Sequence, residues 1–175
     1  MQKEKIQYYA VLACSIDGFI AKEENQLSTT WTSKEDKEHL HKMEDEADVL
    51  LLASKSYELA KEPLRNRNLI VLTTKVNSIK KESEKLSFIN LQNANLKKYI
   101  EEKNYKKVCV LGGRTAYNYC LENTLLTDIY ITIEPIMFGD GIKPFSKAID
   151  EQKYALVSVE KLNETGTILL HYSKK

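Results

Sequence analysis

The stretch Val108–Cys120, VCVLGGRTAYNYC, ends an apolar run in two glycines and passes straight into a helix-like segment. Glycine loses more backbone freedom on folding than any other residue, so a pair at a strand end needs a reason. Two are open. The pair can be a tight strand-to-helix turn with positive φ. It can also let a ligand reach the backbone, with the N–H groups of a helix starting near Arg114–Thr115 turned toward a phosphate. The P-loop and GxGxxG patterns are both absent. Two further strand ends carry related chemistry. Ser54, Lys55 and Ser56 follow one apolar run, and Thr73, Thr74 and Lys75 close the next. Ligands of open α/β sheets bind at the carboxyl ends of strands, so the three clusters together point to a nucleotide-type ligand.

An acid stands apart from these. In Thr32–Ala47, TSKEDKEHLHKMEDEA, residues Asp36, Leu40, Met43 and Ala47 share one helical face, while Glu35, Glu38, Lys42 and Asp45 occupy the solvated one. A carboxylate on an apolar stripe can bind a cationic or amidine-like ligand, and burial raises its pKa. The alternative is capping. Ser33-x-x-Asp36 forms a capping box, and so does Thr32-x-x-Glu35, which would leave Asp36 free. Both readings stay open. Ahead of this helix, Ser15–Trp31 is polar and turn-rich, with Asp17-Gly18 as a turn signal. Its length and irregularity fit a mobile loop over a site or a plain surface loop. Trp31 is the sole tryptophan and reads as a core anchor. Thr132 alternates with Ile131 and Ile133 and so faces the opposite side of its strand.

The elements that must position these groups follow from the periodicity. Strands are expected at Ile6–Ala13, Asp48–Ala53, Leu69–Thr74, Leu86–Leu91, Lys107–Leu111, Asp128–Glu134, Tyr154–Leu162 and Thr167–Ser173. Helices are expected at Lys34–Glu46, Ser54–Lys61, Ala94–Lys103 and Thr115–Glu122. The alternation predicts an α/β fold in one three-layer domain: a mostly parallel central sheet between helices, closed by an antiparallel hairpin around Glu164–Gly166.

The bulk composition bounds the rest. At 175 residues, 42% hydrophobic and 29% charged, the chain can build a full core without staples. A net charge of +1 gives no electrostatic case for a nucleic-acid or anionic-membrane partner. Cys14, Cys109 and Cys120 form no CxxC pair and show no ligand spacing with His39, His41 and His171, so buried free thiols and no metal are expected. No apolar run approaches a membrane span and no signal-peptide pattern opens the chain, so a cytoplasmic location is expected.

Taken in order, these residues resemble the dihydrofolate reductase-like superfamily, which includes the C-terminal reductase domain of the riboflavin-biosynthesis protein RibD. The resemblance runs from about Tyr8 to Phe145. SIDGFIA is similar to the RibD-type segment leading into the active-site loop, and EPIMFGDGIKPF to that group's Gly-rich tail. Trp31 and Asp36 match a W-x4-D pair in which the acid binds the heterocycle and supports its protonation. Thr132 matches the threonine bonded to that acid, so the resemblance makes Asp36 and Thr132 catalytic. Arg67 in PLRNRNLIVLTT falls on the arginine that holds the anionic tail of folate, so Trp31, Asp36 and Arg67 are the implied substrate residues. The implied cofactor is NADPH. Its pyrophosphate would lie at Leu111, Gly112, Gly113, Arg114 and Thr115 and its 2′-phosphate near Lys55, Thr73 and Thr74, while Ser54 and Ser56 belong to the stretch that grips the cofactor phosphates. Ala13, Ile20 and Tyr117 would also border the cofactor. Ala53 and Ser54 replace the family's glycine and arginine, which leaves Lys55 as the 2′-phosphate cation. The implied activity is hydride transfer to a C=N of a ribosylaminopyrimidine phosphate, as in riboflavin synthesis. The alternatives are a dihydropterin, as in dihydrofolate reductase, or nucleotide binding without turnover. RibD-type relatives also imply a homodimer.

Overall fold

The computed structural model describes residues 5–146 and 150–175. Nine strands form one sheet: β1 (Gln7–Ser15), β2 (Val49–Ala53), β3 (Leu69–Leu72), β4 (Ile79–Lys81), β5 (Leu86–Ile89), β6 (Lys107–Gly112), β7 (Asp128–Glu134), β8 (Tyr154–Lys161) and β9 (Ile168–Lys174). Among the described residues four α-helices accompany them: α1 (Lys34–Asp45), α2 (Ser54–Leu64), α3 (Leu96–Glu102) and α4 (Arg114–Glu122). The strand order is β4-β5-β3-β2-β6-β1-β7-β9-β8. From β5 to β7 every neighbouring pair is parallel, and β4 at one edge and β9–β8 at the other are antiparallel. The expected parallel sheet and C-terminal hairpin are both present.

Central strands buried on both faces read as continuous apolar runs, and alternate residues go to opposite layers. Ala10, Leu12, Val49, Leu51, Ile70 and Val110 pack toward Ile100 of α3 and Ala116 and Cys120 of α4. Tyr9, Val11, Leu50, Leu52 and Cys109 pack toward Met43 of α1 and Leu64 of α2. Each fully buried aliphatic side chain contributes about 1.5–3 kcal/mol of transfer free energy. Polar ties fix the layers in place. The Tyr9 hydroxyl donates to the Met43 carbonyl at 2.8 Å, and the Ser87 and Tyr99 hydroxyls share a bond of 2.7 Å.

Several boundaries differ from expectation for local reasons. β4 was not expected: its three residues are all exposed and pair only with β5, so they show no burial period. α3 starts at Leu96 rather than Ala94, because the Asn95 side chain caps it by accepting from the Lys98 N–H at 3.0 Å. α2 continues through Pro63 to Leu64 instead of stopping at Lys61. β1 runs on to Ser15, and β3 stops at Leu72, which leaves Thr73 and Thr74 in the loop beyond the sheet.

The chain runs outward from β1 to β5, then returns with β6 between β2 and β1. That reversal is the switch point at which such sheets open a crevice. The β2–β6 register slips there, with Leu51 opposite Val110 but Leu52 opposite Gly112.

Candidate functional site

A cleft of about 660 Å³ opens over the carboxyl ends of β1, β2, β3 and β6. Its size suits a small-molecule or cofactor site. Ala13, Ile20, Ser54, Lys55, Ser56, Thr73, Thr74, Leu111, Gly112, Gly113, Arg114, Thr115, Tyr117 and Asp36 all line it. Thr132, Trp31 and Arg67 are not in its wall.

The two glycines have separate reasons. Gly112 has φ +105°, and a Cβ there would lie 3.0 Å from the Tyr117 ring. That ring cannot easily yield, since its buried hydroxyl donates to the Val11 carbonyl at 2.8 Å. At Gly113 a Cβ would meet Ser56 Oγ at 2.9 Å. The peptide bond between them is cis. The pair leads directly into α4. That helix begins at Arg114 with Gly113 as its N-cap, and α2 begins after Ala53. Neither has a side-chain cap. Two uncapped helix N-termini therefore meet one cleft, offering N–H groups and positive dipole ends to an anion. Lys55 and Arg114 add cations at the same end. These residues fit a dinucleotide's phosphates.

Asp36 resolves differently from either capping reading alone. Ser33 is the N-cap of α1, and its Oγ accepts from the Asp36 N–H at 3.2 Å. The reciprocal half of the box is not made by Asp36. The Ser33 N–H donates to Glu134 Oε1 at 2.7 Å instead, and Glu134 Oε2 accepts from Thr167 Oγ1 at 2.7 Å. The Asp36 carboxyl is thus free of the cap, buried to 5% exposure and set in the cleft wall. Burial pushes its pKa above the ordinary carboxylate value. The Thr132 and Thr32 hydroxyls oppose that rise, nearby Glu134 adds to it, and His39 opposes it. Thr132 is 1% exposed on β7, beside Ala13 of β1. Thr32 Oγ1 lies near enough to favour the charged acid but makes no hydrogen bond of good geometry.

Trp31 packs edge-on against Phe138, ring centroids 5.0 Å apart, and its buried Nε1 has no hydrogen-bond partner among the described residues. Arg67 pairs with Asp45 and, at 4.0 Å, with Glu44. It lines a separate polar hollow with Asn66, Asn68 and Lys85.

The Ser15–Trp31 loop forms part of the cleft wall from Glu23 to Thr29 and holds one 3-10 turn, Ser28–Thr30. Its start is stitched to the Ile136–Ile142 segment. Asp17 accepts from the Gly139 N–H at 2.7 Å and the Phe138 N–H at 3.2 Å, and the Ser15 hydroxyl donates to it at 2.6 Å. Those donors hold its carboxyl below the usual range, Ser15 most of all. Ile20 and Ala21 exchange backbone bonds with Ile142, and a Cβ on Gly141 would collide with the Ala21 carbonyl.

Four residues of the site were not singled out from sequence. Glu134 shares a strand face with Thr132 at a spacing of two, a signal that was present. Glu44 sits eight residues beyond Asp36 beside the apolar stripe, and His41 next to Leu40, so both were within reach of the helical period. Glu24 lies in an irregular loop, where no period exists to find it.

A family model described as dihydrofolate reductase matches residues 7–173. A curated relative, the uncharacterised protein YwjB of Bacillus subtilis (strain 168), is 24% identical over 180 residues, covering 98% of each chain. A pyrimidine reductase-like protein from Corynebacterium diphtheriae superposes with a TM-score of 0.75 at 14% identity, over 98% of this chain and 93% of the other. Dihydrofolate reductase from Enterococcus faecalis, solved with NADP(H) and RAB-propyl, gives a TM-score of 0.64 at 19% identity, over 97% and 96%. Among the described residues no helix is long and apolar enough to cross a membrane, and no group of His, Cys, Asp and Glu could hold a metal ion.

Proposed function

The chain belongs to the dihydrofolate reductase family, and from that premise we propose that it is an NADPH-dependent reductase of a C=N bond in a pterin or a ribosylaminopyrimidine. The observation that carries the reading is the union, in one cleft, of a glycine-built anion seat and a buried acid with a raised pKa. NADPH supplies the hydride when bound. Gly112, Gly113, Arg114 and Thr115 would hold its pyrophosphate. Lys55, Thr73 and Thr74 would take its 2′-phosphate. Asp36 orients the amidine edge of a pterin or aminopyrimidine and, with its pKa raised by burial, favours proton delivery through water to the nitrogen of the C=N bond. Thr132 sets the Asp36 carboxyl in place from behind. Residues Glu23–Thr29 exclude water from the reacting face.

The RibD-type reading is preferred for the ring, a ribosylaminopyrimidine. Its support is the bonding of Asp17 in SIDGFIA to Gly139 in FGDG, which joins the two RibD-like segments. A dihydropterin is the second reading, supported by Trp31 and Asp36 flanking the start of one helix. Steady-state NADPH oxidation, with dihydrofolate and the aminopyrimidine ribosyl phosphate run in parallel, tests the class. Turnover of either ring supports a reductase. Failure to bind NADPH at all would sink the cofactor assignment.

A further inference from the structure

Between α1 and α2 the cleft continues as a groove lined by Leu40, His41 and Glu44 on one side and Leu59, Ala60 and Pro63 on the other. This groove runs on from Asp36 along the same helix, away from the Ser54 end of α2. On the functional reading above, it is where the part of the substrate beyond the reacting ring must lie. Its charge is the reverse of the phosphate end. Among the described residues lining the cleft, the lysine and the arginine, Lys55 and Arg114, are both at helix starts. The groove instead holds two buried carboxyls, Asp36 at 5% and Glu44 at 6% exposure, with His41 as the one basic side chain.

Arg67 offsets that balance only in part, because Asp45 shares it. Both of its ion pairs go to acids at the end of α1, Asp45 and Glu44, and its side chain lines the neighbouring hollow rather than the groove, with Glu44 standing in the wall between the two. Glu44 keeps hydrogen-bonding capacity. His41 Nδ1 at 3.2 Å and Arg67 Nη2 at 4.0 Å both approach Oε2, which leaves Oε1 uncommitted among the described residues. A carboxylate with a free oxygen beside an imidazole suits a vicinal diol, which can donate to the one and accept from or donate to the other. A phosphate or carboxylate placed there would face Glu44 with its nearest arginine already paired, and like charges at close range oppose binding.

We propose that this groove selects substrates whose ring carries a neutral, hydroxyl-rich chain, such as an alditol or a dephosphorylated glycosyl group, and rejects those with an anionic tail. Glu44 and His41 are the specificity-determining residues, and Asp45 acts by holding Arg67 away. The selectivity does not require a particular ring, so it holds for both heterocycles considered above.

The test is calorimetric titration of the protein saturated with NADP⁺, which has no hydride to give to the dihydropterins, with two matched pairs. One is dihydrobiopterin against dihydrofolate, a neutral diol against a carboxylate tail on one ring. The other is 5-amino-6-ribitylaminouracil against its 5′-phosphate. The neutral member of at least one pair is expected to bind about tenfold more tightly, since a few ångströms separate the tail from Glu44. Asp45→Asn, at an exposed position that leaves the core alone, is expected to free Arg67 and narrow the gap. Glu44→Gln in the same background is expected to close or reverse it. Tighter binding of the anionic member of each bound pair by the unaltered protein overturns the proposal. So does a preference unmoved by both substitutions. Failure of all four compounds while NADP⁺ binds removes the groove from substrate recognition. Failure of NADP⁺ and NADPH as well refutes the reductase reading itself, so the two kinds of failure are told apart.

Discussion

The β6–α4 junction and the inward stripe of α1 line the same cleft, yet one is built from backbone and the other from side chains. At Gly112-Gly113 the chain makes its site by leaving atoms out, so that two uncapped helix starts can meet a ligand. On α1 the site is made by putting charged atoms in, with Asp36 and Glu44 carried into the wall of a largely apolar groove. The first kind of site tolerates no added atom. The second tolerates an isostere in its fold and loses its chemistry. Substitutions at the two ends should therefore fail in different ways.

The largest effect is expected from Gly112→Ala. A residue with a Cβ at φ +105° is strained, and the Tyr117 ring that it meets at 3.0 Å is pinned by its bond to Val11. The strain costs about 1–2 kcal/mol and lowers Tm by about 2–8 °C. Displacing the loop should weaken NADPH binding about 100-fold, the equivalent of about 2.7 kcal/mol of lost phosphate contacts, read by calorimetry. Gly113→Ala should cost less, because the obstacle is one hydroxyl, Ser56 Oγ. Adding Ser56→Ala should restore most of that binding. If the pair behaves no better than Gly113→Ala alone, the close approach of Ser56 is not what demands glycine there.

Asp36→Asn tests the opposite end. Turnover is expected to fall about 100-fold or more with NADPH affinity unchanged. Stability should move the other way. The Asp36 pKa is raised in the fold, by burial first, so its protonated form is favoured there. Its contribution to stability is present below the unfolded pKa and is lost as pH rises through the folded one. Above the unfolded pKa the buried acid is therefore a cost, and asparagine removes it. The variant should melt higher than the parent at neutral pH, with the advantage shrinking as pH falls toward the carboxylate range. A parent whose activity declines with rising pH, and a variant whose residual activity does not, would locate the proton at Asp36. Equal activity of the two proteins would return Asp36 to a structural role.

Much of this contrast was legible in the sequence, because both halves depend on periodic elements. The glycines, the hydroxyl and lysine clusters after β2 and β3, and Asp36 on the α1 stripe all sit at positions fixed by runs of apolar residues. All thirteen residues named for the cofactor line the cleft. Contacts between elements were not legible. Nothing in Ser33-x-x-Asp36 reveals that Glu134, a hundred residues on, would take the Ser33 N–H and release Asp36 from the cap. Nothing in PLRNRN reveals that Arg67 would turn to Asp45 and Glu44. Capping and ion pairing are settled by whichever partner the fold delivers, and single-chain periodicity does not say which strand end that will be.

The smallest effect concerns a residue that joins the two chemistries. Glu24, in the loop over the cleft, accepts from Lys55 Nζ at 2.8 Å through Oε2 and approaches Arg114 Nη2 at 3.9 Å through Oε1. Its pKa is lowered by the Lys55 hydrogen bond first and then by the charges of Lys55 and Arg114. A carboxylate thus occupies the two cations that the backbone end offers to phosphate. All three side chains are well exposed, so the pairs are weak and salt-screened. Glu24→Gln should therefore tighten NADPH binding only about two- to fivefold at low ionic strength. The gain should fade as salt is raised. Lys55→Gln should weaken binding, and in that background Glu24→Gln should add much less, because the main competition is then gone. If Glu24→Gln weakens NADPH binding instead, Glu24 holds the loop closed over the ligand rather than competing with it. The loop would then belong with the backbone-built half of the cleft.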